Sequence, residues 1–246
     1  MNVLKTISVA TGLLLLVAAG AVDCMAQDKV DVSLGADVVS RYVWRGLNVG
    51  DAPSVQPSIA AGYKGFELGT WGAYSLSNEA TDGDEIDFWL GYTHEFASGA
   101  AIGLLVTDYY FPNAGEKFSN FQNYDDEDGA GAHTVEIGGS VTLPGSLPIT
   151  LAGYINVYND EGNNAYFQAD CPVTAGETDL NFFVGVTPGS DKNPDYYGAD
   201  EFKVLNVGVT ASKEVQFSES FSLPISGSFI VNANLDMAYL VVGFSL

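Results

Sequence analysis

The two arginines of the chain, Arg41 and Arg45, lie four residues apart in a stretch that alternates between apolar and polar residues. Residues four apart on a strand share one face, so both guanidinium groups are expected to point the same way, as does Asp37. Guanidinium groups bind carboxylates in bidentate pairs, and in pores they orient passing solutes. Two interpretations stay open: a structural lattice of charged pairs that fills an interior, or a charged constriction of a pore.

Carboxylates from other parts of the chain are predicted to face the same interior. The candidates for lining a pore are Asp37, Arg41, Arg45, Glu85, Asp87, Glu136 and Asp179. Glu95 and Asp170 are predicted to share this interior as well. Because the carboxylates outnumber the arginines, an open pore is expected to prefer cations weakly.

No set of residues in the sequence indicates an enzyme. The histidines, His94 and His133, are predicted to be interfacial side chains near strand ends, and neither has a second ligand at metal spacing. No serine is paired with a histidine, so no catalytic residue, metal site or cofactor is expected. The densest acidic run, Asp125-Asp126-Glu127-Asp128, is either a solvated loop tip or a weak site for divalent cations.

The elements that would position these side chains are β-strands. Residues 30–45 alternate with period two, and their apolar face ends in Tyr42 and Trp44. Similar stretches recur along the chain and give about twelve strands, of the length that a membrane barrel requires. The facing of strands 66–76 and 100–111 stays open, and if Asp108 faces the interior, Leu105 and Tyr109 should face outward. No segment is typical of a linker or a second domain, so one domain is expected.

The connectors between these stretches alternate between short turns and mostly longer, acidic segments. Residues 64–65, 97–99 and 144–148 are short, whereas residues 112–132 and 188–200 are long. Short turns at one end and longer loops at the other are typical of outer-membrane barrels. The sequence therefore predicts an all-β protein, a transmembrane antiparallel up-and-down β-barrel of about twelve strands. A soluble secreted β-protein is the alternative fold.

The N-terminus is predicted to be a signal peptide covering residues 1–26, because Lys5 precedes an apolar run and Ala26 offers a cleavage site. Residues 27–246 would then form the barrel in the bacterial outer membrane. A lipoprotein site at Cys24 is the alternative, although Asp23 fits that site poorly. The net charge of −22 argues against nucleic acid as a partner. Cys171 alone remains in residues 27–246, so no internal disulfide is expected.

The opening stretch, Asp-Val-Val-Ser-Arg-Tyr-Val-Trp-Arg-Gly at residues 37–46, resembles the first strand of the TorF family of bacterial outer-membrane porins. Further similar features are Gly69-Thr70-Trp71-Gly72, Glu85-Ile86-Asp87-Phe88 with Gly91-Tyr92, and the hairpin at Phe221-Ser222-Leu223-Pro224. The resemblance covers nearly all of residues 27–246. It departs at the C-terminus, where Leu246 stands in place of the aromatic residue that usually ends such barrels.

Together these features predict a narrow, porin-like channel for small solutes or ions, surrounded by outer-membrane lipid. Between eight strands, which leave a filled interior, and sixteen, which leave an open channel, twelve should leave a small and crowded pore. The alternative function is a non-conducting barrel that strengthens the membrane or binds a ligand or partner through its acidic outer loops.

Overall fold

The computed structural model describes residues 29–78, 83–127 and 129–246. The predicted signal peptide and Cys24 lie outside the described residues. The strands are β1 (Asp31–Val39), β2 (Tyr42–Trp44), β3 (Leu47–Gly50), β4 (Ser54–Tyr63), β5 (Phe66–Ser75), β6 (Glu85–Glu95), β7 (Ala101–Tyr110), β8 (His133–Thr142), β9 (Thr150–Tyr158), β10 (Ala165–Ala175), β11 (Thr178–Thr187), β12 (Lys203–Ser218), β13 (Phe221–Asn232) and β14 (Met237–Ser245). A short 3₁₀ helix spans Pro194–Tyr196. Within the described part of the chain, no helix has the length and apolar character that a membrane span requires.

Twelve of these strands close into one antiparallel barrel, in the order β1-β14-β13-β12-β11-β10-β9-β8-β7-β6-β5-β4. The first and last strands close the barrel, with Asp37 opposite Ser245. The backbone N–H of Leu246 extends this seam by donating to the Ala36 carbonyl oxygen over 2.9 Å. The prediction of an all-β, twelve-stranded antiparallel barrel is confirmed.

The outer wall of the barrel is apolar, because alternate residues on each strand point outward. Phe182 is 47% exposed, Val207 40% and Leu240 70%. Their neighbours in sequence, including Phe183 and Tyr239, point inward and are buried. The inward positions also carry most of the buried polar and charged side chains. A soluble barrel would have the opposite distribution, with its apolar residues inside.

The two strands of uncertain facing follow the same alternation. On β5, Phe66 and Leu68 face outward and Trp71 is buried inside. On β7, the exposed residues are Ile102, Leu104 and Val106, which places Asp108 on the outer side as well. Leu105 and Tyr109 were expected to face outward only if Asp108 faced the interior. Asp108 faces outward, and both residues are buried in the interior.

The predicted opening strand, residues 30–45, is wrong in its second half. β1 ends at Val39, and the chain bends at Ser40 and Arg41. β2 and β3 then form a separate two-stranded hairpin, while β1 pairs directly with β4. Tyr42 is buried and packs against Trp71, an inward-facing residue of β5, so the hairpin lies inside the barrel. The alternation continues through the break because a hairpin has the same period as the strand before it.

One further residue departs from its expected facing. Leu205 is predicted to share the outward face of Val207, but it is completely buried and packs with the interior cluster that contains Tyr166 and Tyr197. The reason is an irregularity in the β11–β12 pairing: Asn206 lies opposite Gly185, whereas Val204 lies opposite the next residue, Val186. The additional residue changes the facing of β12 at that point.

The connectors divide between the two ends of the barrel. The long ones, including residues 40–53, 111–132 and 188–202, share one end, which is called the loop end below. The short turns, such as residues 64–65 and 176–177, share the other, called the turn end. The connection at 233–236 is tight although it lies at the loop end. The inner hairpin therefore enters the barrel from the loop end.

Candidate functional site

The tip of the β2–β3 hairpin projects into the barrel interior. Trp44 pairs with Leu47, which leaves Arg45 and Gly46 as a two-residue turn. Both turn residues have positive φ, 50° at Arg45 and 80° at Gly46, as a type I′ turn requires. A Cβ atom on Gly46 would lie 2.0 Å from the Leu205 carbonyl oxygen, so only glycine fits there. The arginine is thus held in a backbone conformation that costs a non-glycine residue free energy.

At this tip the Arg45 guanidinium forms a bidentate ion pair with Glu136, an inward-facing residue of β8. Arg45 Nη1 lies 2.6 Å from Glu136 Oε2, and Nη2 lies 2.8 Å from Oε1. Arg45 Nη1 also donates to the Tyr197 hydroxyl over 2.6 Å, and the Tyr109 hydroxyl donates to Glu136 Oε1 over 2.9 Å. Burial alone would lower the pKa of Arg45, but the negative charge of Glu136 raises it well above its usual range. The guanidinium is therefore positively charged, and both of its terminal nitrogens lie against the carboxylate of Glu136.

Aromatic rings surround the same guanidinium group. Its central carbon lies 4.4 Å from the ring centre of Trp44, 4.6 Å from that of Tyr154 and 4.7 Å from that of Tyr166. Trp44 also stacks on Tyr197, with ring centres 5.9 Å apart. Cation–π contacts of this kind are strongest where water is excluded. Arg45 joins the hairpin, the wall strands β8 to β10 and the segment 188–202 into one cluster.

The other side of the hairpin meets a second pair of carboxylates. The Tyr42 hydroxyl donates to Glu85 Oε2 over 2.7 Å. Asp87 follows on the same inward face of β6, and both carboxylates are almost completely buried. Asp87 Oδ1 has no hydrogen-bond donor among the described residues. The hairpin contacts eight strands of the wall, β5 to β10, β12 and β13, through Tyr42, Trp44, Arg45 and Gly46. It therefore narrows the interior at this level.

Of the seven predicted pore-lining residues, the structure brings four together at the hairpin: Arg45, Glu85, Asp87 and Glu136. The other three lie elsewhere. Arg41 lies at the bend before the hairpin, where its guanidinium is 3.1 Å from Asp51 and 6.0 Å from the ring centre of Tyr239. Asp37 faces the interior at the barrel seam, where the Ser245 hydroxyl donates to it over 2.5 Å. Asp179 lies near the turn end and accepts from the Thr174 hydroxyl over 2.8 Å.

Sequence reasoning missed the tyrosines that complete the cluster. Tyr154 and Tyr166 belong to the inward sets of their strands, and their alternation with outward residues such as Ile155 and Phe167 was the available signal. Tyr197 lies in the segment 188–202, directly after the 3₁₀ helix, and no periodicity marks it. It is nevertheless completely buried.

The interior towards the turn end carries acidic side chains with neutral partners. Glu67 accepts from Trp89 Nε1 over 2.9 Å. Asp170 accepts from the side-chain amides of Asn181 and Gln168, over 2.9 Å and 3.0 Å. Each arginine of the chain already binds a carboxylate. The formal charge on this part of the interior wall is thus negative.

The acidic run and the histidines show no metal site. Asp125, Asp126 and Glu127 lie in the segment 111–132, and Asp128 lies outside the described residues. Within the described ranges, no group of three or more His, Cys, Asp or Glu residues could hold a metal ion. His133 lies at a strand end as predicted, but it is completely buried rather than interfacial. His94 packs edge-on against Phe96.

Comparison with known proteins identifies a family. The profile of a family described as a bacterial protein of unknown function, Gcw_chp, matches residues 23–227. The chain belongs to this family. The resemblance to the TorF family is not confirmed by this match and stays a prediction. No curated protein matches the sequence of this Gcw_chp member.

One solved structure with a similar backbone trace is the high-pH structure of Pseudomonas putida OprB. The similarity has a TM-score of 0.33 and 11% sequence identity, and it covers 78% of this chain and 58% of that chain. The chain thus spans less than two thirds of the length of that structure.

Proposed function

We propose that the protein is a bacterial outer-membrane barrel that acts as a narrow, weakly cation-preferring channel for small solutes or ions, without catalytic activity. The observation that carries the proposal is the distribution of residues: apolar side chains cover the outer wall, and polar and charged side chains face the interior. Exposed apolar surface of this extent is unfavourable in water and favourable in lipid. We further propose that residues 1–26 direct the chain across the inner membrane and are then removed.

The hairpin supports the narrowness of the proposed channel. In a twelve-stranded barrel the interior is wider than the side chains of its own wall can fill. The β2–β3 hairpin occupies part of that width at the loop end, with its tip fixed by the Arg45–Glu136 pair. A solute crossing the barrel would therefore meet its narrowest passage beside this pair.

The charge distribution supports the proposed cation preference. The guanidinium in the interior is neutralised by Glu136, and that of Arg41 by Asp51. Asp37, Glu67 and Asp170 accept hydrogen bonds from neutral groups, so no cationic partner offsets their formal charge. A confined wall of one sign concentrates counter-ions and repels co-ions, and salt screens this effect beyond about 10 Å at 0.1 M.

A second candidate function, a non-conducting barrel, is favoured by the same hairpin. Its contacts reach eight of the wall strands, and a plug of this kind could close the interior completely. In that case the acidic loop-end segments, including Asp125 to Glu127, would bind a ligand, a partner or divalent cations. The proposal of a channel and this alternative differ in one property, the passage of ions.

Conductance across a planar lipid bilayer separates the two candidates. The purified barrel should give small, discrete current steps, because the passage beside Arg45 is narrow. Replacing Arg45 by Ala should increase the step size, since it shortens the side chain at that passage. Replacing Arg41 by Ala is the matched control and should leave the steps unchanged. Absence of current in the native barrel and in both variants would reject the channel and support the non-conducting barrel.

A further inference from the structure

His133 lies on the outside of the barrel, not in its interior. It is the first residue of β8 and shares the outward side of that strand with Ile137, which is 45% exposed. Its neighbour across the sheet is Tyr110 of β7. The imidazole is nevertheless completely buried, because the segment 111–132 leaves the rim and folds back over this part of the outer wall.

Both ring nitrogens of His133 face oxygen atoms. The Phe118 carbonyl oxygen can only accept a hydrogen bond, and so can the Asp108 carboxylate unless it is protonated. Nδ1 lies 3.0 Å and 2.9 Å from the two carboxylate oxygens of Asp108. Nε2 lies 2.7 Å from the Phe118 carbonyl oxygen. A neutral imidazole has one N–H group and can satisfy one of these contacts. Both contacts are hydrogen bonds at the same time only when the His133–Asp108 pair carries one proton more than a neutral ring beside an ionised carboxylate.

Aromatic rings hold the imidazole from both sides. Phe121 of the segment stacks on it, with ring centres 4.0 Å apart and an angle of 8° between the planes. Tyr110 of the wall is nearly parallel to it at 5.4 Å. Phe118 contacts its edge at 5.1 Å. A positively charged ring gains from both faces of this sandwich, so loss of its charge weakens the stacking as well as a hydrogen bond.

The groups that face His133 come from two elements, the wall strand β7 and the segment 111–132. β7 contributes Asp108, its charged neighbour, and Tyr110, which is also titratable. The segment contributes Phe118 and Phe121, which are neutral. Among the described residues, Asp108 is the one charged group in contact with the ring in an ion pair or hydrogen bond. The protonation of the His133–Asp108 pair is therefore the titration that acts on this contact.

We propose that His133 is a protonation-dependent latch that fastens residues 112–119 to the outer wall of the barrel. When the His133–Asp108 pair holds its additional proton, both ring nitrogens are bonded and the segment is docked. When that proton leaves, the lone pair of one nitrogen faces an oxygen atom, and the segment detaches. Histidine is the side chain that changes charge between about pH 5 and about pH 8, so the latch responds to the pH outside the barrel.

The latch acts on one part of the segment only. The part from Asn120 onward is held independently of His133. The Ala132 backbone N–H donates to the Asn120 carbonyl oxygen over 2.9 Å, and the Tyr158 hydroxyl donates to the Phe121 carbonyl oxygen. Asn159 donates to the Gly131 carbonyl oxygen over 2.9 Å, and its backbone N–H donates to Asn123 over 2.8 Å. Release would therefore free the part that contains Phe118, which is 51% exposed even when docked. This proposal rests on the barrel wall and does not depend on whether the interior conducts.

A spin label on the segment tests the latch. In a background with Cys171 replaced by Ala, Ser119 is replaced by Cys and labelled, and the barrel is refolded into phosphatidylcholine vesicles. Electron paramagnetic resonance should show mainly an immobile label at pH 5 and mainly a mobile one at pH 8.5, the range over which histidine titrates. A label at Ser146, in an exposed turn at the opposite end of the barrel, is the control and should not change.

Two variants connect the transition to the proposed proton. His133→Phe keeps the stacking and has no titratable nitrogen, so its label mobility should not depend on pH. Asp108→Asn removes the carboxylate that stabilises the positive ring, so its transition should move to lower pH by about one unit. The proposal is overturned if the native barrel shows no transition, or if the His133→Phe variant shows the same one. It is equally overturned if the ¹⁵N shifts of the His133 ring at pH 5 show a single protonated nitrogen beside an ionised Asp108.

Discussion

Replacing Arg45 by Met tests the fixing of the hairpin tip most sharply. The substitution keeps an unbranched side chain of similar length and removes the positive charge. It leaves Glu136 in a site where both partners are 2% exposed, with the hydroxyl of Tyr109 as its remaining hydrogen-bond donor. Removing one partner of a buried ion pair costs about 3–5 kcal/mol, because the other charge stays buried without compensation. The free energy of unfolding should fall by this amount.

The assay is equilibrium unfolding in urea of the barrel refolded into lipid vesicles, followed by the difference in gel mobility between folded and unfolded chains. The matched control is Arg41→Met. Arg41 also forms an ion pair, but its side chain is 35% exposed and that of Asp51 is 75% exposed. Exposed pairs contribute about 0–1 kcal/mol, so this variant should be close to the native protein.

A double-mutant cycle completes the test. Glu136→Gln alone should also be strongly destabilising, because it leaves the guanidinium of Arg45 unpaired. The variant that carries both Arg45→Met and Glu136→Gln removes both charges, so its loss should be smaller than the sum of the single losses by up to about 3 kcal/mol. Additive losses, or equal losses for Arg45→Met and Arg41→Met, would refute the account of the hairpin tip.

Three further predictions concern the wall, the hairpin turn and a loop-end connector. Leu240→Arg places a charge on the outer wall and should lower the free energy of unfolding by about 2–4 kcal/mol near the bilayer midplane. Ser226→Arg, on the interior face, should lower it far less. Equal losses of unfolding free energy in the urea assay would mean that the faces are reversed. Gly46→Ala should destabilise the barrel much more than Gly99→Ala, because both glycines have positive φ but only Gly46 has a backbone atom within 2.0 Å of the added Cβ. Burial raises the pKa of Asp160, but hydrogen bonds from Asn156, Asn193 and Asn164 outweigh this and lower it below its usual range. Its stabilisation is therefore fully present above about pH 4 and is lost as the pH falls through the folded-state pKa, and this acid-dependent part of the unfolding free energy should disappear in Asp160→Asn.

The wall of the barrel could be predicted from the sequence because each wall strand has one environment on each side. Residues such as Phe182 and Phe183 alternate between outward-facing and interior positions, and this alternation appears in the sequence as a period of two residues. The direction of β5 and β7 was undetermined because both sides carry large apolar residues, for example Leu104 and Leu105. Only the pairing with neighbouring strands decides which of these two leucines faces outward.

The hairpin could not be predicted from periodicity because it repeats the pattern of the strand before it. Tyr42 and Trp44 continue the apolar face of β1, yet they lie inside the barrel. A local signal was present: in Trp44-Arg45-Gly46-Leu47, a glycine follows one residue inside an alternating stretch, which is typical of a two-residue hairpin turn. Glu136 could be predicted to face the interior from the alternation of its strand. Its pairing with Arg45 could not be predicted, because the two residues lie 91 positions apart and meet only if the hairpin enters the barrel to this depth.

The most direct test of the proposed function is the reversal potential of the native barrel in a planar bilayer with a gradient of potassium chloride. The acidic residues of the interior, with Arg45 neutralised by Glu136, predict a potential of the sign that marks cation preference. This preference should be largest at low salt, where screening is weakest. A reversal potential of the opposite sign would contradict the account, and absence of current would leave the non-conducting barrel as the function of this fold.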